Sequence, residues 1–265
     1  FGDALQAVVL AGRATSSIEL GTSVLPTYLA HPVLMASRAA ATAAAIGQPG
    51  RFTLGIGPSH APVVEGMLGL SYATPGRHTE EYVEIVAALL ASRDVAHEGA
   101  EFHVHAGAPT VHRDIEIPVL LAALAPRLLR VAGQHTAGTI LWMANARSIA
   151  GHVAPTIRRF ADQPRIVAGL PVAVHDDVAA AREAAAEMFA VYGQLPNYQR
   201  ILAHGGVAGP AEAAIVGDEA AVTAEIEALF EAGATDVWAA PFPVGSARGE
   251  SLARTRALLK TLAAR

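Results

Sequence analysis

GRFTLGIGPSH, residues 50–60, reads as a buried strand that ends in glycines and opens into a polar loop. In α/β proteins, ligand chemistry sits at such strand ends. Phe52, Leu54 and Ile56 alternate with Thr53, Gly55 and Gly57, the period of a pleated strand with one face too crowded for side chains. Two readings fit that crowding: a large ligand against the glycine edge, or a tight turn with close packing. The dinucleotide fingerprint G-x-G-x-x-G fails, because position 60 is histidine rather than a third glycine.

On both sides of this strand, apolar runs alternate with helical periods. Helices are predicted over Asp3 to Ala14, Pro32 to Ile46, Ala61 to Leu68, Arg77 to Ala91, Pro126 to His135, Ala146 to Ala161, Glu219 to Ala232 and Leu252 to Ala264. Strands are predicted over Ile18 to Leu25, Phe52 to Gly57, Val119 to Ala123, Gly138 to Met143, Ile166 to Val174 and Asp236 to Ala240. Strands separated by helices imply a parallel sheet with right-handed crossovers, closed as a barrel or open. The intervals 58–118 and 175–235 are too long for one crossover and read as insertions. The first contains GAEFHVHAG, with the alternation of a short hairpin, and the second holds a charged, Ala-rich helix from Asp177 to Tyr192. Insertions at strand C-terminal ends commonly build active sites. Six strands are two short of a (β/α)8 barrel.

The chain has 265 residues, 52% of them hydrophobic and 16% charged, which is ample for one large domain with its own core. A net charge of -5 argues against a nucleic-acid partner. With no cysteine, disulfide scaffolds, zinc–thiolate sites, iron–sulfur clusters and thiol nucleophiles are excluded, and the composition suits the cytoplasm. Apolar runs such as Ile117 to Ala125 are far shorter than the roughly 18 residues of a membrane span, so no membrane association is expected. The opening FGDALQAVVLAG lacks an initiator Met and a signal-peptide pattern, and reads as starting partway into the fold.

Several residues at strand ends carry candidate chemistry. Thr22 and Ser23, in LGTSVLPTYLAHP, suit either a cavity wall or an ordinary bend. His60 follows the glycine strand directly and can serve in proton transfer or stand as a loop residue. In VLLAALAP, residues 119–126, a strand runs into the proline of a helix start, where exposed amides near Leu124 and Ala125 favour an anion such as phosphate. Trp142 and Met143 end the strand GTILWM, packed against a planar cofactor or simply in the core. His103 and His105 lack a third ligand at a recognisable spacing and read as surface residues, so no metal site is expected. Glu80 and Glu84 share a helix face at i,i+4 and read as solvated; Arg77 and His78 precede them and reach either solvent or an anionic ligand. Ser59 lacks a G-x-S-x-G context, which disfavours a serine hydrolase.

In order along the chain, IELGTSVLPTYLAHP, GRFTLGIGPSH, PGRHTEEYVEIV, PVLLAALAPRLLRVAGQHTAGTILWM and VGDEAAVTAEIEALFEAGATDVWAAPF resemble the luciferase-like oxidoreductases, and most closely the branch that uses the deazaflavin coenzyme F420. The resemblance implies a single luciferase-like (β/α)8 TIM barrel over residues 1–265, with a helical insertion late in the chain. It implies that the βαβ portion of the family's N-terminus precedes Phe1. It also implies a non-prolyl cis peptide at Ser23 and Val24 supporting one face of the deazaflavin. Gly57, Pro58 and Ser59 would border the ring, Ala122, Ala123, Leu124 and Ala125 would approach the phosphate-bearing tail, and Trp142 and Met143 would close another side. His60 would be catalytic; it stands where relatives that oxidise sugar phosphates carry glutamate, a departure that weighs against that substrate class. The implied activity is hydride transfer between C5 of F420 and a C=C, C=N or C=O bond of a small molecule, in a homodimer. The alternatives are an FMN-dependent monooxygenase served by a separate reductase, and a non-catalytic flavin-binding barrel.

Overall fold

The computed structural model describes residues 2–109 and 115–264. The chain forms two compact units, Phe1–Thr139 and Ile140–Arg265.

In the first unit, Asp3 caps the helix Ala4–Ala14, its carboxylate accepting from Leu5 N at 3.0 Å. The predicted strand Ile18 to Leu25 is split. Leu20 and Gly21 pair in parallel with Phe52 and Thr53, whereas Leu25 and Pro26 pair with Ile56 and Gly57. Four steps on one strand face three on the other, so one extra residue is accommodated in a bulge over Thr22 to Val24. The Ser23–Val24 peptide within it is cis, at the position the family resemblance implied.

Helix Pro32–Ile46 has its proline in the first turn, where a missing N–H costs nothing, and ends at Gly47 with φ of 78°. It delivers the chain to Arg51, a buried guanidinium donating to the carbonyls of Gly12, Thr15 and Ile18 at 3.2, 2.9 and 2.9 Å. Strand Phe52–Gly57 follows, all six residues buried, as a parallel strand covered on both faces requires. Its far edge pairs with Val119–Ala122.

The first insertion contributes helix Pro75–Leu90 and the antiparallel pair Val95–Glu98 with His103–Ala106. The hairpin is real, but 99–102 forms its turn and its first strand lies upstream of the quoted stretch. Residues 110–114 of this insertion lie outside those described.

Nor is the acidic stretch solvated. Glu81 is 9% exposed, and its carboxylate accepts from the amides of Ala100, Glu101 and Phe102 at 3.0, 2.9 and 3.0 Å, fixing the hairpin turn to the helix. Glu80 accepts from Arg127 and Arg130 on helix Pro126–His135 at 2.8 and 2.5 Å.

The second unit is built on strand Arg165–Val174, buried over nine of its ten residues. Val172 pairs both with Pro241 of strand Asp236–Pro241 and with Ile215 of strand Ile215–Gly217, so the two flank it. Strand Ile215–Gly217 falls inside the predicted second insertion and its three residues escaped the sequence reading. The helical part of that insertion runs as Val178–Met188 and Pro196–His204, joined by a tight turn at Ala190–Gln194. Ala181 and Ala185 of its first helix pack with Ala173, Val216 and Phe242 beneath it. The predicted helix Ala146 to Ala161 is interrupted by a π-turn over Ile149–Val153 and stops at Ile157. No helix among the described residues is long and apolar enough to cross a membrane.

Candidate active site

The bulge and the glycine strand meet through Thr22. Its hydroxyl donates to Gly55 O at 2.7 Å and accepts from Gly55 N at 2.9 Å, supplying the pairing that the split strand cannot. A Cβ on Gly55 would lie 1.8 Å from Thr22 O, so the glycine admits the bulge itself. At Gly57 a Cβ would meet the side chains of Ala122 at 2.8 Å and Val24 at 3.0 Å. The crowding legible in the sequence is thus imposed by the chain's own backbone and side chains. Val24, Gly57 and Ala122 are thereby brought together as a shallow wall with no large side chain, and the exposed Ser23 lies on the bulge beside it.

The loop at the end of that wall is pinned. Ser59 has φ of 61°, and its carbonyl accepts from the Tyr72 hydroxyl at 2.8 Å. The His60 carbonyl accepts from Val63 N and Val64 N, starting the short helix Ala61–Val64. Pro58, Ser59 and the imidazole of His60 remain partly exposed. Burial lowers the His60 pKa below its ordinary value, so the ring is neutral at pH 7.

Behind the loop, Tyr28 stacks on His78 with centroids 3.8 Å apart and planes within 7°. Tyr28 also approaches Tyr72 at 5.6 Å. Burial, reinforced at Tyr28 by the neighbouring Tyr72 and Glu101, pushes both phenols up to about 12, so both stay protonated. His78 is enclosed by Tyr28, Phe102 and Tyr82 and does not reach toward solvent, and Arg77 pairs with Glu101 at 2.8 Å. The Thr27 hydroxyl is buried without a partner among the described residues. Thr27, Tyr28 and Tyr72 were not singled out in the sequence: Thr27 and Tyr28 lie in LGTSVLPTYLAHP between a strand end and a helix, and Tyr72 lies in SYATPGRH just before helix Pro75–Leu90.

Leu124 and Ala125 lead into helix Pro126–His135, which opens on proline. Ala123 is buried, and its carbonyl accepts from Thr139 Oγ1 at 3.2 Å, so it faces inward. In the second unit Met143 is likewise buried, with φ of 63°. Trp142 lies 4.9 Å from Trp238, and Met143 N donates to Gly169 O at 3.0 Å, extending the strand pairing past Ile140. On the hairpin, Glu98 bridges His103 and His105 at 2.8 and 2.6 Å, with all three side chains on the surface.

Parallel strands joined by helices, with loop chemistry gathered at a strand's C-terminal end, define a TIM-barrel-type α/β protein. Residues 2–248 match the family model described as luciferase-like monooxygenase, and the chain belongs to that family. Among curated relatives, it is 27% identical over 139 residues to a 5,10-methylenetetrahydromethanopterin reductase of Methanolobus tindarius, covering 52% of this chain and 41% of the relative. It is 32% identical over 143 residues to an F420-dependent glucose-6-phosphate dehydrogenase of Beutenbergia cavernae, covering 52% and 42%. The matches thus span about two fifths of those relatives' length. Among solved structures, an F420-dependent secondary alcohol dehydrogenase in complex with an F420–acetone adduct superposes with a TM-score of 0.78 at 17% identity, over 97% of this chain and 83% of that one. The FMN complex of the oxygenating constituent of 3,6-diketocamphane monooxygenase, from Pseudomonas putida, gives a TM-score of 0.65 at 16% identity, over 90% and 77%. These likenesses extend the fold across nearly the whole chain.

Proposed function

We propose that the protein is an F420-dependent oxidoreductase that moves a hydride between the deazaflavin and a C=C, C=N or C=O bond of a small organic substrate. The observation that carries this reading is the side-chain-poor wall of Val24, Gly57 and Ala122, which runs directly into a pinned, partly exposed histidine. A flat ring system fits such a wall, because nothing larger than a valine isopropyl group rises from it. When bound there, F420 supplies the two-electron hydride chemistry that no side chain can.

The chain's own residues do the rest. Ser23, Val24, Gly57, Pro58 and Ser59 would hold the ring. Leu124 and Ala125, at the start of the helix that opens on Pro126, would hold the phosphate of the tail through the helix's first-turn amides. Tyr72 holds Ser59, and through it the position of His60. His60, neutral at pH 7, takes the proton released when a substrate hydroxyl or amine is oxidised, and returns it in the reverse direction.

Relatives and fold neighbours named for F420 support this reading over an FMN monooxygenase, which the FMN-bound neighbour keeps as the second reading. Equilibrium titration of the purified protein with F420 and with FMN, each followed by its own absorbance, separates the two. Tighter binding of F420 is expected. Tighter binding of FMN, or FMN retained through purification, overturns the assignment. Binding of F420 without turnover on a panel of enones, imines and alcohols leaves a non-catalytic barrel.

A further inference from the structure

We propose that His78 is a positioning residue of the site: from helix Pro75–Leu90, its one imidazole ring ties the chain beyond the bulge to the loop that presents His60. The inference rests on the hydride-transfer reading above and adds to it a residue that acts only through others. All the residues involved belong to the first unit.

The ring makes two different attachments. One of its nitrogens donates to the backbone carbonyl of Thr27. Nε2 is buried without a hydrogen-bond partner among the described residues, so the donor is Nδ1. Thr27 follows directly on Leu25–Pro26, the short strand that pairs with Ile56 and Gly57, so this bond fixes the chain just past the bulge. The ring's face makes the second attachment. It stacks on Tyr28 at 3.8 Å, Tyr28 lies 5.6 Å from Tyr72, and the Tyr72 hydroxyl donates to Ser59 O at 2.8 Å. Ser59 holds φ of 61°, a left-handed conformation that costs a residue other than glycine energy unless its surroundings hold it. His60 is the next residue, so what holds Ser59 also aims the imidazole after it.

Packing alone does not call for an imidazole here. Phe102 at 5.0 Å and Tyr82 at 6.0 Å complete the enclosure. A phenyl ring would fill the same space without burying an unpaired nitrogen, which carries a desolvation cost. What the imidazole adds is the N–H to Thr27, joined to a flat face for Tyr28. An amide side chain supplies the donor without the face, and a phenyl supplies the face without the donor. Burial, opposed by Glu101, the Thr27 carbonyl and Glu81, holds the ring's pKa below its ordinary value. At pH 7 it is therefore neutral, the state in which Nδ1 carries the proton and the enclosed Nε2 carries none.

The two attachments can be cut separately. His78→Phe keeps the stack and removes the donor; His78→Asn sets an amide N–H where Nδ1 lies and removes the face. In each protein the titration of His60 is followed by NMR through its ring C–H signals, identified among the chain's 11 histidines by their loss in His60→Ala. F420 binding is followed by the cofactor's absorbance. His78→Phe is expected to weaken F420 binding about 3- to 10-fold while His60 titrates as in wild type. His78→Asn is expected to move the His60 titration upward, toward the ordinary histidine value, as its loop loosens and admits water. Tyr72→Phe, which cuts the same path one contact further on, is expected to reproduce that movement, and carries this arm if His78→Asn does not fold. F420 affinity and His60 titration both unchanged in the variants overturn the proposal. A lowered urea midpoint with neither readout moved also overturns it, leaving His78 a packing residue. Failure of the wild-type protein to bind F420 strikes the functional reading, and the His60 titration then decides the positioning role by itself.

Discussion

Thr22 and Gly55 exchange two hydrogen bonds that in an unbroken sheet would join two backbones: the Thr22 hydroxyl gives one to Gly55 O and takes one from Gly55 N. The bulge that forms one side of the proposed ring site therefore depends on a single hydroxyl. Replacing it by a methyl group, Thr22→Val, leaves a buried donor and a buried acceptor unmet and should cost roughly 2 kcal/mol, whereas Thr22→Ser should cost less than half as much. Urea unfolding of the three proteins measures both; equal midpoints for Val and wild type would refute the role.

Gly55→Ala tests the same contact from the other strand. Its Cβ would fall 1.8 Å from Thr22 O, a backbone atom that cannot swing aside. A loss of about 3 kcal/mol or more is expected, with cofactor binding lost in parallel. Gly57→Ala meets only side chains, at 2.8 and 3.0 Å, and should be milder in stability.

His60→Ala should lower turnover about 100-fold while leaving cofactor affinity within about twofold. Burial depresses the His60 pKa, so the neutral base is complete above pH ~6.5 and is lost as pH falls through the folded value. In the direction that oxidises an alcohol or amine, the rate should be flat from about pH 7 to 8 and fall on the acid side. A profile with the same acid limb in His60→Ala would assign that limb to another group.

Glu81→Gln should loosen the hairpin at a cost of roughly 1–2 kcal/mol at neutral pH. Burial raises the pKa of Glu81, but the amides of Glu101, Phe102 and Ala100, with His97, outweigh it and hold the carboxyl below its usual range. The folded pKa is thus below the unfolded one, so this stabilisation is present above about pH 4.5 and lost as pH falls. Wild type should approach the variant's stability in acid; a constant gap from pH 7 to 3 would contradict it.

How far the sequence could be read depends on what each element needs from elsewhere. Helices Pro32–Ile46 and Pro126–His135 carry their own starts in proline, and strand Phe52–Gly57 carries its glycine ends, so all three fall where local pattern places them. The strand predicted over Ile18 to Leu25 breaks because its register with 52–57 slips by one residue, and a slip is a property of two segments together. His60 was legible as a strand-end residue. The Tyr72 bond to Ser59 was not, nor was the meeting of residues 142, 169, 192 and 238, since no local period connects positions so far apart. Ile215–Gly217 was missed because three residues are too short for alternation to register.

Arg51 has a consequence for the order in which the chain assembles. Its guanidinium closes the carbonyls of Gly12, Thr15 and Ile18, which precede it by 39, 36 and 33 residues. The first helix can coil early, but its last turn stays unfinished until that cation has been synthesised and brought back to it. Because Arg51 immediately precedes the glycine strand, the step that completes the helix end also sets Phe52 opposite Leu20. Helix end and sheet register thus share one residue, and a substitution at Arg51 is expected to disturb both at once.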